Sequence, residues 1–221
     1  PPLPASRLSA LSRPPYIPMR PPLLLLPIAF LAVTLAPAAT PRTLELRAGD
    51  HVCLIGNTLA ERLQHFNGWE TLLHQRFPRH QLVVRNLAWP ADEVALRPRA
   101  EGFGDPDQHL TFSKADVILA FFGFNESFAG PAGLAAFKSD FDTWLAATLQ
   151  ANYSGRGAPR VALVSPIAHE NLRDPHLPDG TTNNRNLELY TSALVEIAEK
   201  HGVVFADVFH PTLQFFAAQK G

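Results

Sequence analysis

Leu54-Ile-Gly-Asn-Thr-Leu-Ala-Glu61 is an apolar run that stops at a glycine and a polar pair, then opens into an amphipathic helical pattern. A strand that turns tightly into a helix sets one side chain, here Thr58, at the carboxyl edge of a sheet. Open α/β folds place their chemistry at that edge. The first N–H groups of the helix lie there too and favour an oxyanion. A threonine hydroxyl attacks a carbonyl when a base takes its proton, so Thr58 is a candidate nucleophile. The competing reading is that Thr58 caps the helix. Three further polar clusters follow apolar runs: Asn86-Leu-Ala-Trp-Pro-Ala-Asp92, Gly123-Phe-Asn-Glu126 and Ser165-Pro-Ile-Ala-His-Glu170. Within the third of the four, Asn125 has a carboxamide suited to donating to a developing oxyanion.

Elements must hold these clusters in place. Short apolar runs alternate with helical patterns, the signature of βαβ units around a parallel sheet. Strands are expected over 51–56, 81–87, 115–124, 160–165 and 203–209, with a small edge strand over 43–46. Several are continuously apolar, as strands buried on both faces are. Leu59, Leu63, Phe66, Leu73 and Phe77 recur at helical spacing up to Pro78, and a proline ends such a helix. A second helix is expected over 133–150. A third carries Leu187, Tyr190, Leu194 and Ile197 on one face, with Gly202 as its cap. The connections 90–114 and 166–184 are long, and loops of that length in compact domains are usually functional.

The chain has 221 residues, 46% hydrophobic and 18% charged, with 19 Lys+Arg against 20 Asp+Glu. That balance has no basic stripe and argues against a nucleic-acid partner. Cys53 is the single cysteine, so no internal disulfide can form, and it reads as a buried small hydrophobe. The single methionine, Met19, precedes Arg20 and an apolar run from Leu23 to Ala36 that closes on Ala36-Pro-Ala38. A basic start, a short apolar stretch and a small-residue ending describe a secretory signal peptide. The run is too short for a membrane helix, which needs about 20 residues. Residues 1–18 are expected to be a disordered leader or upstream extension, 19–38 a signal peptide, and 39–221 the folded domain. The chain is therefore expected to be secreted or periplasmic, without stable membrane insertion after cleavage. Residues 212–220 carry an unfinished helical pattern, and the domain is expected to be truncated there.

In order and spacing the four clusters resemble the SGNH/GDSL hydrolase family, over roughly Gly49 to His210. Gly56-Asn57-Thr58 falls where the family carries Gly-Asp-Ser, Ala91-Asp92 where it carries Gly-Asp, and Gly123-Phe124-Asn125-Glu126 where it carries Gly-x-Asn-Asp. The resemblance implies a three-layer α/β/α flavodoxin-like fold, with a five-stranded parallel sheet in the order 2-1-3-4-5. It implies hydrolysis of ester bonds, with carbohydrate deacetylation as the expected reaction and a small-molecule or glycan ester as partner. No cofactor or metal is implied. Thr58 stands for the nucleophile, the Ala91 N–H and the Asn125 side chain for oxyanion donors. Asn57, Asn86, Asp92 and Glu126 fall around the substrate, Glu126 as a loop-stabilising carboxylate.

The departures are chemically specific. Thr58 adds a methyl group that restricts χ1. Alanine at position 91 disfavours the positive φ open to glycine, so altered oxyanion geometry is expected. Asp207-Val-Phe-His210 spells the family's catalytic Asp-x-x-His. The family's own segment, however, lies after the last strand and a further helix, which here falls beyond Gly221. The alternative to a hydrolase is a degenerate module that binds glycan or a partner, with Trp89, Phe124 and Phe128 as apolar surface. A flavodoxin-like phosphate binder is disfavoured, because no Gly-rich phosphate loop follows any strand.

Overall fold

The computed structural model describes residues 42–66, 68–99 and 101–219. The expected leader and signal peptide lie outside the described residues. Five strands form one all-parallel sheet: β1 (His51–Gly56), β2 (Val83–Asn86), β3 (Val117–Phe121), β4 (Arg160–Val164) and β5 (Val204–Ala206). Their spatial order is β2-β1-β3-β4-β5. β1 is central, with Leu54 opposite Asn86 on one side and Gly56 opposite Phe121 on the other. The fold is the expected α/β architecture with helices on both faces of the sheet.

Alternation along the strands explains the continuous apolar runs. Cys53 and Ile55 of β1, Ile118 and Ala120 of β3, and Leu163 of β4 share one core with Phe137, Phe141 and Leu145 of helix α4 (Gly130–Thr148) and with Tyr190, Leu194 and Ile197 of α5 (Thr181–His201). Val52, Leu54, Val117 and Phe121 face the other way, against Leu59 and Ala60 of α1 (Thr58–Arg62) and Trp69 of α2 (Gly68–Arg76). Strands covered on both faces lose the polar half of their alternation. Cys53 is fully buried, and burial pushes its thiol pKa up to about 12. The amino edge of the sheet is tied by Arg160 to Asp50 at 2.6 Å and by Arg156 to Asp116. The carboxyl edge is left to the loops.

Several boundaries differ from expectation. Residues 43–46 form no strand. The helical spacing of 59–77 belongs to two helices, α1 and α2, separated by a turn in which Phe66 is 68% exposed. No residue of α2 is buried, so that periodicity marks a surface helix rather than a core face. Inside the long 90–114 connection lies α3 (Pro106–Phe112), started by a capping box between Asp105 and Gln108 with proline in its first turn. That is a recognisable helix start. Helix α4 begins three residues earlier than expected, after a 3-10 turn over Glu126–Ala129. β5 stops at Ala206, and α6 (Phe209–Ala218) begins where the strand was expected to continue. The cause is Ser165, whose buried hydroxyl oxygen accepts from the N–H groups of Val208 and Phe209 at 2.9 and 3.0 Å and draws the chain out of the ladder.

Candidate functional site

The end of β1 is held by its neighbours on both sides. Trp89 N–H donates to Gly56 O at 2.9 Å, and Asn57 N–H donates to Phe121 O at 3.0 Å. Gly56 has φ +115°, and a Cβ there would lie 2.0 Å from Phe121 O. Only glycine fits that approach. The next residue, Asn57, is buried and is the N-cap of α1, its side chain accepting from Leu59 N–H at 3.2 Å. The capping role weighed for Thr58 therefore belongs to Asn57. Thr58 is the first residue of α1 and half-buried, and its hydroxyl makes no hydrogen bond among the described residues. Its N–H is one of those that intrahelical bonding leaves over.

The second cluster wraps over this turn. Asn86 donates to Ala60 O at 2.7 Å and accepts from Ala88 N–H at 3.1 Å, clamping the end of β2 to the first helix. Ala91 has φ +65°. The left-handed conformation that alanine was expected to avoid is kept, at a cost of about 1–2 kcal/mol. The tight turn imposes it, closed by Asp92 N–H on Trp89 O at 3.2 Å. The Ala91 N–H donates to no group among the described residues. Asp92 is 2% exposed and receives a bidentate contact from Arg99, both distances 2.7 Å.

Asn125 joins the third cluster to the second. Its Nδ2 donates to Asp92 O at 3.0 Å. A carboxamide carries two N–H groups, so one remains for a further acceptor. Glu126 beside it is buried and accepts from Gly123 N–H at 2.8 Å and Val94 N–H at 3.0 Å. Its two oxygens thereby tie Val94 to Gly123. Burial pushes its carboxyl up to about 6, against the opposing pull of the backbone N–H groups. An acid whose folded pKa exceeds its unfolded value lends stability below the unfolded value, near 4.5, and loses it as pH rises through about 6. Glu126→Gln is expected to flatten that decline, worth about 2 kcal/mol. It is also expected to destabilise the loop at all pH values, because an amide offers one acceptor where two N–H groups need two. Urea unfolding of both proteins between pH 4 and pH 7 measures each effect.

The Asp207-Val-Phe-His210 segment behaves differently. His210 lies in the first turn of α6, exposed, with Nδ1 2.6 Å from Asp207 and Nε2 3.1 Å from Glu188. Its pKa is raised, chiefly by the hydrogen bond to Asp207. Both ring nitrogens face carboxylates, which leaves neither free to receive a proton from a hydroxyl. No group of three or more His, Cys, Asp or Glu residues placed to hold a metal ion occurs among the described residues. No helix among them is long and apolar enough to cross a membrane.

A cavity of about 700 Å³ opens beside the second cluster, lined in part by Asn86, Trp89, Asp92, Arg97, Arg99 and Phe103. Thr58, Ala91 and Asn125 are not among its walls. It shares Asn86 and Asp92 with the candidate site, and most of its other walls come from residues 87–90 and 97–109. Arg97, Arg99 and Phe103 were not singled out from the sequence. Their only signal there was the length of the connection that carries them.

No protein-family model and no curated protein matches the chain significantly. Solved structures do. A gut microbial diltiazem-metabolizing enzyme aligns with TM-score 0.60 and 16% identity over 79% of this chain and 40% of that one. This chain thus spans well under half of that enzyme's length. A catalytic mutant of an acetylxylan esterase from Geobacillus stearothermophilus aligns with TM-score 0.59 and 13% identity, over 79% of this chain and 83% of that one. A carbohydrate acetylesterase from Sinorhizobium meliloti aligns with TM-score 0.51 and 12% identity, over 72% and 83%. At these identities the likeness is one of fold. The fold is the α/β/α sandwich expected from the ordered clusters, with five parallel strands in the order β2-β1-β3-β4-β5.

Proposed function

We propose that this protein is an ester hydrolase that removes acyl groups, acetyl above all, from carbohydrate. The observation that carries the reading is the hydrogen bonding of the three clusters to one another at the carboxyl edge: Trp89 to Gly56, Asn57 to Phe121 and Asn125 to Asp92. In this reading those contacts hold the Thr58 hydroxyl and the N–H groups of Thr58, Ala91 and Asn125 at one edge, with hydrogens left over. The fold's likeness to acetylxylan and carbohydrate acetylesterases supports the choice of substrate.

In this reading the Thr58 oxygen attacks the acyl carbon while an imidazole takes its proton. The carbonyl oxygen becomes an oxyanion held by the three N–H groups, each such donor being worth about 3–4 kcal/mol in acyl transfer. The sugar hydroxyl leaves with the proton returned by the imidazole, and water then hydrolyses the acyl-threonine. His210 is engaged at both nitrogens, so the reading requires another imidazole. The resemblance places it in an Asp-x-x-His segment C-terminal to α6. The pattern from Met19 to Ala38 supports action outside the cytoplasm. Release of acetate from acetylated xylo-oligosaccharide by the purified full-length protein tests the proposal; no release, with p-nitrophenyl acetate also untouched, overturns it.

A second reading is favoured by the cavity, whose walls exclude Thr58, Ala91 and Asn125. There the domain binds glycan without turnover. Calorimetric binding of a xylo-oligosaccharide, with no acetate released from its acetylated form, is the result that selects it.

A further inference from the structure

The cavity lined by Trp89, Arg97, Arg99 and Phe103 has a chemical character of its own. Trp89 and Phe103, each about half exposed, meet edge to face with centroids 6.1 Å apart and form an aromatic wall. Arg99 stacks on both rings, at 5.0 and 5.5 Å. The half of each ring that Arg99 does not cover stays exposed, and apolar ring surface of this kind takes the apolar face of a sugar ring. The volume, about 700 Å³, lies within the usual range of small-ligand sites, about 300–1,000 Å³.

Charge pairing in the walls is incomplete. Arg99 is matched bidentately by Asp92. Asp105 is committed to the capping box of α3, and Glu61 to His65 and Gln64. His109 hydrogen-bonds Phe103 O. Arg97 feels the charges of Asp92 and Asp107, but the first is engaged by Arg99 and the second accepts from the Tyr153 hydroxyl at 2.7 Å. Arg97 is left over. It is half-buried over the Phe122 ring, 5.2 Å from the centroid, and makes no hydrogen bond or ion pair among the described residues. A sheltered guanidinium with its donors unmatched is costly unless a partner arrives, and burial already pulls its pKa down.

We propose that this cavity is a subsite for an acidic sugar, with the ring of a hexuronate residue against Trp89 and Phe103 and its carboxylate on Arg97. The planar fork of a guanidinium matches a carboxylate in two parallel hydrogen bonds. The substrate's main chain then runs from the cavity past Asp92 towards Thr58, so the enzyme acts on acylated acidic glycan. That last step rests on the ester-hydrolase reading; the binding itself does not.

Calorimetry on the full chain with trigalacturonate and with neutral xylotriose tests the binding directly, without any turnover. Native protein is expected to bind trigalacturonate at least about tenfold more tightly than xylotriose, the range of one hydrogen-bonded charge pair. Arg97→Met is expected to abolish that preference while leaving xylotriose affinity unchanged. Arg97→Lys, which keeps the charge and loses the fork, is expected to retain part of it, and covers the case in which Arg97→Met does not fold. No trigalacturonate binding, equal affinity for the two sugars, or a preference unaltered by the variants overturns the subsite. If acetate release from acetylated oligosaccharide, neutral and acidic, and hydrolysis of p-nitrophenyl acetate all fail, the hydrolase reading falls separately. Binding without release keeps the subsite and assigns it to a glycan-binding module.

Discussion

Thr58→Ala is expected to lower kcat/KM for acetylated xylo-oligosaccharide at least about a thousandfold, because no other group in the first cluster can form the acyl intermediate. The fold is expected to tolerate the change. Asn57, not Thr58, caps α1, and alanine is the best helix former. A loss of activity with unchanged thermal unfolding is therefore the specific signature. Thr58→Ser sharpens the test. Removing the methyl frees χ1 while keeping the hydroxyl, so the serine variant is expected to equal or exceed the native protein. Retained turnover in the alanine variant sinks the nucleophile assignment, whatever the serine variant does.

Gly56→Ala is expected to have the largest effect on stability. The added Cβ would sit 2.0 Å from Phe121 O, at φ +115°. The obstacle is main chain of the neighbouring strand, which cannot rotate away as a side chain would. Strain and overpacking each cost about 1–3 kcal/mol, so a loss of about 3 kcal/mol or more is expected by urea unfolding. For a domain of this size that corresponds to a fall of about 6–12 °C in Tm. A variant as stable as the native protein would mean that β1 and β3 do not meet at this point. Because the same contact positions Asn57 and Thr58, activity is expected to fall along with stability.

The two variants probe different kinds of information. The strands β1, β3 and β4 were legible because each is a short apolar run bounded by polar residues, and burial on both faces writes that pattern directly into the composition. The four clusters were legible because each directly follows such a run. Helix α3 could have been found from Asp105, Pro106 and Gln108, whose capping box is a local signal. The break between α1 and α2 was hidden because Phe66 keeps the helical spacing while standing in solvent. The early end of β5 was hidden for another reason. Ser165 takes the N–H groups of Val208 and Phe209 from more than forty positions away, and no window of sequence around 203–209 contains it. Ala91 shows the same limit in reverse. Residue type argued against a positive φ, and a turn closed through Asp92 and Trp89 imposed it.

Periodicity, composition and local turn chemistry by themselves determined the class of fold, the succession of strands and helices, and which strand ends carry polar groups, because those properties depend on neighbours a few residues apart. Only the tertiary structure decided that Asn125 reaches Asp92, that Asn86 clamps α1, and that Arg97 stands near Trp89 and Phe103 in one cavity while its neighbours Asp92 and Asp107 bond to Arg99 and Tyr153. Each of those facts is a meeting, or a failure to meet, between side chains on separate loops. Hydrogen bonds and ion pairs depend on distances of about 3 Å, and the folded sheet sets such distances between residues that no local pattern connects.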